Sequence, residues 1–184
     1  IKNIASPRFI LVSATVTGQL QTVAQQELKG TWQTVSATTT ESTSPTPRQL
    51  VQLHMLVNVK LRFPALVAWL VPHHIHQRTV VFFSTRAAVD FYYQLFHQMD
   101  CIVSSSSSQP QKQTKGMFGT CQILKLHGNI PKEQRQVVLR DFRRQSVGIL
   151  LTTDVAARGL NLETDWIVQY DPPSEVAEYV HRAG

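Results

Sequence analysis

The sequence predicts an α/β domain in which a parallel sheet is covered by helices on both faces. Short apolar runs alternate with amphipathic segments along most of the 184 residues. Several runs are continuously apolar, such as Val80–Phe83 and Ile149–Leu151, which is typical of strands buried on both faces. Strands that alternate with helices favour parallel pairing. Ligands of such sheets bind beyond the carboxyl ends of the strands, so functional residues are expected there.

The first thirty residues are predicted to hold one buried strand and one helix. Phe9–Val12 is the apolar strand candidate, and Thr17 is a candidate N-cap for the helix. One face of that helix carries Leu20, Val23, Ala24 and Leu28. Residues 31–49 are rich in Thr, Ser and Pro and lack periodicity, which is typical of a linker.

A second region spans residues 50–184 and carries most of the predicted elements. Apolar residues alternate with polar ones over 51–57, which predicts a strand, and Leu61–Val71 predicts a helix with Pro64 in its first turn. Further strands are predicted at 80–83, 122–126, 147–151 and 166–169, and helical segments at 87–97, 132–142, 155–158 and 174–181. Residues 103–117 include five consecutive serines and are interpreted as a mobile insertion.

Charge and composition narrow the class of partner. The net charge of +6 is compatible with a polyanionic partner, and a soluble protein with a merely basic surface is the alternative. Cys101 and Cys121 lack zinc-site spacing and are interpreted as reduced thiols in an intracellular protein. The histidines at 73, 74 and 76 are interpreted as a solvated helix end, so no metal site is expected. No apolar run approaches the ~20 residues of a membrane span, so no membrane partner is expected.

Polar residues follow four of the predicted strands. They are Ser13 and Thr15, Thr85 and Arg86, His127 and Gly128, and Thr152, Thr153 and Asp154. A hydroxyl or glycine between a strand and a helix can bring backbone N–H groups and the positive helix end to a phosphate. Each instance alone is ordinary at such a junction, but four in one sheet with basic residues nearby favour phosphate binding.

Several of these segments together resemble the DEAD-box family of RNA helicases. Ser13–Thr15 resembles the SAT motif that closes the first RecA-like domain, and residues 153–160, TDVAARGL, resemble the fifth motif. The run YDPP at 170–173 and YVHRAG at 179–184 resemble the approach to the sixth motif. Leu126–Gly128, with Arg135 and Phe142 behind it, resembles the segment between. The resemblance implies the end of a first RecA-like domain at 1–30, a linker at 31–49 and a RecA-like helicase C-terminal domain at 50–184.

The resemblance also implies a role for individual residues. Coupling between the two domains would involve Ser13, Thr15, Asp154, Arg158, His181 and Arg182. The RNA sugar-phosphate backbone would be held by Thr85, Gly128, Arg135 and Thr153. The nucleotide would be faced by Gly159 and Asn161. Such backbone contacts bind RNA without reading its sequence, and salt weakens them.

Some family features are altered or absent in the sequence. Asn161 stands where an Asp usually accepts from the ribose hydroxyls, so the charge-assisted part of that hydrogen bond is lost. Lys132 stands where a Gln is usual. There is no GxxxxGK loop and no Asp-Glu-Ala-Asp box, and the arginines that reach the γ-phosphate come after the glycine that Gly184 matches. Arg182 is not one of the arginines that reach the γ-phosphate. No catalytic set is complete, so the chain by itself is predicted to lack ATPase activity.

For the parent protein, the resemblance implies a monomeric ATP-dependent RNA helicase. ATP and Mg²⁺ would be bound mainly by its first RecA-like domain. Residues 49–70, QLVQLHMLVNVKLRFPALVAWL, resemble a nucleolar branch that acts in large ribosomal subunit assembly, which implies a pre-ribosomal RNA partner and a place in the nucleus and nucleolus. A non-catalytic RNA-binding or interaction module is the alternative if the chain is the whole natural product.

Overall fold

The structure is a computed structural model that describes residues 10–12, 18–28, 33–35, 49–73, 76–105, 117–119, 121–157, 160 and 162–183. The chain forms two compact units, Ile1–Pro45 and Thr46–Gly184. The first unit contains helix α1 (Gly18–Glu27), which confirms the predicted helix, although Thr17 lies outside the described residues. The predicted buried strand is wrong in its described part, because Ile10 and Val12 are 88% and 86% exposed and no strand forms there. A strand needs a neighbour for its backbone N–H and C=O groups, and no described residue pairs with this segment.

The second unit holds the sheet and its helices. In chain order its elements are α2 (Arg62–His73), β1 (Arg78–Phe82), α3 (Arg86–Ser105), β2 (Gln122–Leu126), α4 (Lys132–Arg144), β3 (Gly148–Thr152), α5 (Asp154–Ala157), β4 (Trp166–Gln169) and α6 (Val176–Ala183). A short 3-10 turn, Val59–Leu61, precedes α2. No helix in the described ranges is both long and apolar enough to cross a membrane.

The four strands form one parallel sheet in the order β2-β3-β1-β4. Thr152 at the end of β3 stands level with Phe82 of β1 and Leu126 of β2. Phe82 is in turn level with Gln169 of β4. The carboxyl ends of all four strands therefore meet at one edge, which is where the sequence places the functional residues.

Helices cover both faces of this sheet, as predicted. Val81 of β1 points to one face and packs in a core with Leu70 of α2 and Phe96 of α3. Val80 and Phe82 point to the other face, because successive side chains of a strand alternate. That second core is closed by residues of α4 and α5, among them Phe142, Leu139 and Ala156. The two cores sandwich the sheet and fix its loops from both sides.

The strand predicted over 51–57 is wrong. Residues 50–58 lie outside any helix or strand, and Val51, Leu53 and Leu56 are exposed by 79%, 75% and 94%. Alternating hydrophobicity favours an extended backbone, but a strand also requires a partner edge. None of the described residues offers one to this segment, so the alternation alone misled the prediction.

The predicted insertion at 103–117 is too wide. Helix α3 continues to Ser105, beyond the predicted start of the insertion. Directly after the predicted end of the insertion, Phe118 is only 1% exposed within the first core. The Phe118 amide donates to Asp100 Oδ1 at 3.0 Å, and its ring meets Phe96 edge to face at 5.4 Å. The turn continues through Gly119, whose φ of 60° favours glycine. One apolar residue in a polar stretch gave no periodicity from which its burial could be predicted.

Candidate nucleic-acid interface

Three of the four residues predicted to hold RNA lie at the carboxyl ends of adjacent strands. Gly128 follows β2, Thr153 follows β3 and Thr85 follows β1, and these strands are neighbours in that order. Neighbouring strands stand about 4.8 Å apart. The sheet therefore arranges the three loops as a row along one edge of the domain. This row of Thr85, Thr153 and Gly128 is called the RNA row below, because its members are predicted to hold RNA.

Thr85 begins the longest helix of the domain. Its Oγ1 accepts a hydrogen bond from the Ala88 amide at 3.1 Å, and its carbonyl accepts one from Val89 at 3.2 Å. This is the N-cap arrangement. The hydroxyl oxygen acts as the acceptor in the cap, so its own hydrogen is available to donate. Thr85 is exposed, and the positive end of α3 favours an anion beside it.

The contacts within the chain do not explain why residue 128 is a glycine. It is exposed, and a Cβ placed there would meet no atom within 4 Å. Its φ is not positive, since Gly119 is the glycine with positive φ among the described residues. Neither packing nor backbone strain inside the chain therefore requires a glycine at 128. The missing side chain leaves room for a close approach by an outside molecule.

The turn that carries Gly128 is held from helix α3. His127 is 4% exposed, its Nε2 lies 3.2 Å from Asp90 Oδ1, and its Nδ1 accepts from the Asn129 amide at 3.3 Å. This network assigns the ring hydrogen to Nε2. The hydrogen bond from Lys125 lowers the pKa of the Asp90 carboxyl, and His127 adds to that effect. Asp90 is therefore a carboxylate that supports the turn.

A second contact ties the Gly128 turn to the Thr85 loop. Arg86 Nη1 donates to the Asn129 side-chain oxygen, and so it links the loops after β1 and β2 across the end of β3. Sequence reasoning named Arg86 and His127 but missed Asp90 and Asn129. Asp90 and Arg86 are four residues apart on one helix and so share a face, but their partners follow β2 and only the fold brings them close.

Arg135 lies in the first turn of α4. Its amide donates to the Pro131 carbonyl at 2.9 Å, and its side-chain Nε is buried without a hydrogen-bond partner among the described residues. A buried guanidinium N–H normally finds an acceptor. A contact between Arg135 and RNA stays a prediction. Lys132, the other departure from the family pattern besides Asn161, is exposed at the start of the same helix.

Thr153 differs from the other members of this row because it is buried. Only 6% of its surface is exposed, and its carbonyl accepts hydrogen bonds from Ala156 and Ala157 at 3.1 and 3.2 Å. Its backbone thus starts helix α5 directly after β3. A direct contact between Thr153 and RNA stays a prediction.

Two of the residues predicted to couple the domains form an ion pair whose arginine is buried. Arg182 is 4% exposed and donates through Nε and Nη2 to the Asp154 carboxylate, the Nη2–Oδ2 distance being 2.7 Å. Its Nη1 donates to the Asp171 carbonyl at 2.7 Å. Removing one partner of such a buried pair costs about 3–5 kcal/mol. The pair joins α5 to α6, while His181 beside it is exposed.

Sequence reasoning missed the acidic side chain at the end of β4. Asp171 accepts from Arg62 Nη2 through Oδ1 at 2.9 Å and from the Ser84 amide through Oδ2 at 3.0 Å. The neighbouring Tyr170 hydroxyl lies 2.9 Å from the hydroxyl of Tyr92. Burial and that contact raise the pKa of Tyr170 to about 12. The YDPP run supplied a signal at this position, but its partner Arg62 is 109 residues away.

Several predicted residues lie outside the described part of the chain. They are Ser13, Thr15, Arg158, Gly159 and Asn161. Among the described residues, no group of three or more His, Cys, Asp or Glu side chains is placed to hold a metal ion. The nucleotide-facing positions therefore stay predictions.

Comparison with known proteins identifies the family of the chain. The model of the helicase conserved C-terminal domain matches residues 62–184. A Homo sapiens protein named ATP-dependent DNA helicase DDX31 is 41% identical over 142 residues, which are 75% of this chain and 16% of that protein. The Danio rerio ATP-dependent RNA helicase DDX55 is 32% identical over 178 residues, 95% of this chain and 27% of that protein.

Solved structures share the fold. Domain 2 of the DEAD-box helicase Mss116p, solved with an RNA duplex, superposes with a TM-score of 0.52 at 23% identity, covering 68% of this chain and 44% of that one. The C-terminal domain of the DEAD-box protein Dbp5 gives a TM-score of 0.50 at 22% identity and covers 68% of this chain and 62% of that one. The chain spans only about a sixth to a quarter of the two sequence relatives above. The parallel sheet, the motifs at its strand ends and the family match together show that the chain belongs to the helicase conserved C-terminal domain family, in its DEAD-box branch.

Proposed function

We propose that this domain forms one wall of an RNA channel and binds the RNA sugar-phosphate backbone. Thr85, Gly128, Arg135 and Thr153 make the contacts. The observation that carries the proposal is the exposed Gly128, which the fold does not require to be glycine. It lies in one row with the N-cap of α3, where a free hydroxyl hydrogen and a positive helix end favour a phosphate.

The whole protein is proposed to be an ATP-dependent RNA helicase with two RecA-like domains. Residues 1–30 are the end of the first domain, 31–49 are the linker and 50–184 belong to the second. ATP lies between the domains and is faced by Gly159 and Asn161, and Mg²⁺ is bound mainly by the first domain. The relatives named ATP-dependent RNA helicases support this assignment.

Coupling between the domains is assigned to residues beside the nucleotide cleft and the RNA row. These are Ser13, Thr15, Asp154, Arg158, His181 and Arg182. Support comes from the Asp154–Arg182 pair, which joins the helix after Thr153 to α6. A displacement of one helix would strain these hydrogen bonds to the other.

The cellular role is proposed from the resemblance of residues 49–70 to a nucleolar branch. The protein acts as a monomer on pre-ribosomal RNA during large ribosomal subunit assembly, in the nucleus and nucleolus.

The RNA contact is tested with Gly128→Ala in the 184-residue chain. Alanine adds a methyl group where the phosphate backbone approaches, so affinity for single-stranded RNA should fall about tenfold or more, the scale of a lost charge-assisted hydrogen bond. Fluorescence anisotropy with labelled oligonucleotides measures affinity, and thermal unfolding measures stability. Stability should stay the same or rise slightly, because alanine restricts the unfolded chain. Unchanged RNA affinity would refute the proposed contact.

Arg135→Ala provides a second, independent measurement. Loss of one phosphate contact should weaken binding to all single-stranded RNAs of equal length by similar factors. It should also reduce the salt slope, which is the slope of log affinity against log salt concentration, by about 0.7. Single-stranded DNA of the same sequence is included because one relative is named a DNA helicase. Equal affinity for DNA and RNA would contradict the RNA assignment, and a sequence preference lost in the variant would indicate base recognition.

A further inference from the structure

We propose that Asp171, held by Arg62, is a positioning residue for RNA binding. Asp171 would not touch RNA itself. It fixes the Ser84 backbone and thereby sets the place of Thr85, the next residue along the chain. The inference rests on the proposed RNA-binding function.

Asp171 connects three segments that are far apart in the sequence. Its Oδ2 accepts from the Ser84 amide at 3.0 Å, and its Oδ1 accepts from Arg62 Nη2 at 2.9 Å. Its carbonyl accepts from Arg182 Nη1 at 2.7 Å. One residue thus joins the start of α2, the loop after β1 and helix α6.

Ser84 is the point at which the loop after β1 leaves the sheet. The Phe83 amide still donates to Thr152 in the neighbouring strand at 2.9 Å, whereas the Ser84 amide donates to Asp171. Thr85 follows and caps α3 through the Ala88 amide. The carboxylate therefore holds the last amide before the residue that is proposed to meet the phosphate.

Arg62 keeps this carboxylate oriented and offsets its charge. The Arg62 guanidinium donates to both the Tyr170 carbonyl and Asp171, and it stacks over the Tyr170 ring at 4.5 Å. The side chains of Arg62 and Asp171 are 35% and 22% exposed. An unpaired carboxylate near the RNA row would repel phosphate. Arg62 therefore lets Asp171 support the loop without opposing the ligand.

The test is Asp171→Ala in the 184-residue chain, measured by RNA anisotropy and by hydrogen exchange of individual amides. RNA affinity should fall about threefold to tenfold, the scale of one ordinary hydrogen bond, because Asp171 acts on RNA only through the loop that it holds. Exchange at Ser84 should accelerate while Val81 inside β1 stays protected. The salt slope should stay at the wild-type value, because no cationic contact with phosphate is lost.

Asp165→Ala is the matched control. Asp165 Oδ2 accepts from the Arg78 amide at 2.8 Å, so it makes the same kind of hydrogen bond at the opposite end of β1. This variant should lose a comparable contact and yet keep wild-type RNA affinity. If Asp165→Ala lowers RNA affinity as much as Asp171→Ala does, the effect comes from general stability and the proposal is wrong.

Arg62→Met keeps the test decisive if Asp171→Ala does not fold, because it leaves the carboxylate in place. It should weaken RNA binding about twofold or more. The salt slope should stay unchanged, and the Ser84 amide should exchange faster. A slope reduced by about 0.7 would mean instead that Arg62 contacts phosphate directly. If both variants fold, their effects should be non-additive in the double variant.

The failure of this inference differs from failure of the proposed function. A wild-type chain that binds no RNA contradicts the function itself. A wild-type chain that binds RNA, with Asp171 and Arg62 variants that bind equally well, contradicts only the positioning role.

Discussion

At the scale of single residues, three aspartates accept hydrogen bonds near the candidate site. Their partners differ, and the partner decides which segment each carboxylate holds. Asp90 accepts from a buried imidazole and a lysine, Asp154 accepts from a buried guanidinium, and Asp171 accepts from a backbone amide. In each case the carboxylate fixes a loop or helix start beside the RNA row. The positioning groups are therefore distributed among α3, α5 and the loop after β4.

The surroundings of Cys121 also decide its reactivity, and a slow reaction is expected. Burial raises the pKa of its thiol to about 11, because the thiolate would lose its hydration. In a Cys101→Ser background, iodoacetamide at pH 8 should alkylate Cys121 at least about tenfold more slowly in the folded chain than in urea. Mass spectrometry over time measures the two rates. Equal rates would show that the thiol is not desolvated.

The raised pKa of Cys121 also predicts how stability changes with pH. The folded state favours the neutral thiol, so its contribution is fully present below pH 9 and is lost as the pH rises through about 11. The free energy of unfolding should therefore decline over that interval more steeply in the Cys101→Ser chain than in a variant that also carries Cys121→Ala.

At the scale of elements, helix α3 organises much of the domain. Its first residues, with the Thr85 cap, face the RNA row, and Arg86 and Asp90 support the Gly128 turn. Near its other end Asp100 accepts the Phe118 amide. One helix thus holds the candidate site at its amino end and closes the core toward its carboxyl end.

The turn at Phe118 should matter far more for stability than the polar stretch before it. Phe118→Ala should lower the free energy of unfolding by about 3–5 kcal/mol, because it leaves a cavity in the first core. Deleting residues 106–115 should change it by under about 1 kcal/mol, since loop closure depends weakly on length. Urea denaturation measures both.

Phe91→Ala is the matched control for Phe118→Ala. Phe91 is on α3 and is 59% exposed, so its removal should shift stability by at most about 0.5 kcal/mol. A deletion that destabilises the chain as strongly as Phe118→Ala would show that residues 106–115 pack against the core.

At the scale of the whole molecule, the chain should bind RNA but hydrolyse no ATP on its own. Phosphoryl transfer needs a cradle for the phosphates, a metal ion, a positioned water and positive charge at the transition state. The sequence holds no GxxxxGK loop and no Asp-Glu-Ala-Asp box. A phosphate-release assay with ATP, magnesium and RNA should give only the rate of the buffer control. Turnover well above that rate, from protein free of contaminants, would reveal catalytic residues outside the family pattern.

The sequence by itself determined the order and type of most elements and the sheet edge at which the predicted functional residues lie. Val80–Phe83 and Ile149–Leu151 were predictable because strands buried on both faces are continuously apolar. Helix α4 was predictable because its apolar residues recur at helical spacing. The strand ends then located Thr85 and Gly128, since parallel strands present their carboxyl ends at one edge.

Only the tertiary structure decided which segments are partners. The strands predicted at 9–12, in its described part, and at 51–57 are wrong, because hydrophobic patterning encodes burial but not the presence of a neighbouring edge. The supports of the site join residues 28 to 109 positions apart, as in Asp154 with Arg182 and Arg62 with Asp171. No local periodicity carries such pairs, because they arise from the strand order β2-β3-β1-β4. The sequence thus predicts where RNA binds, while the packing of distant segments decides how the predicted binding loops are held.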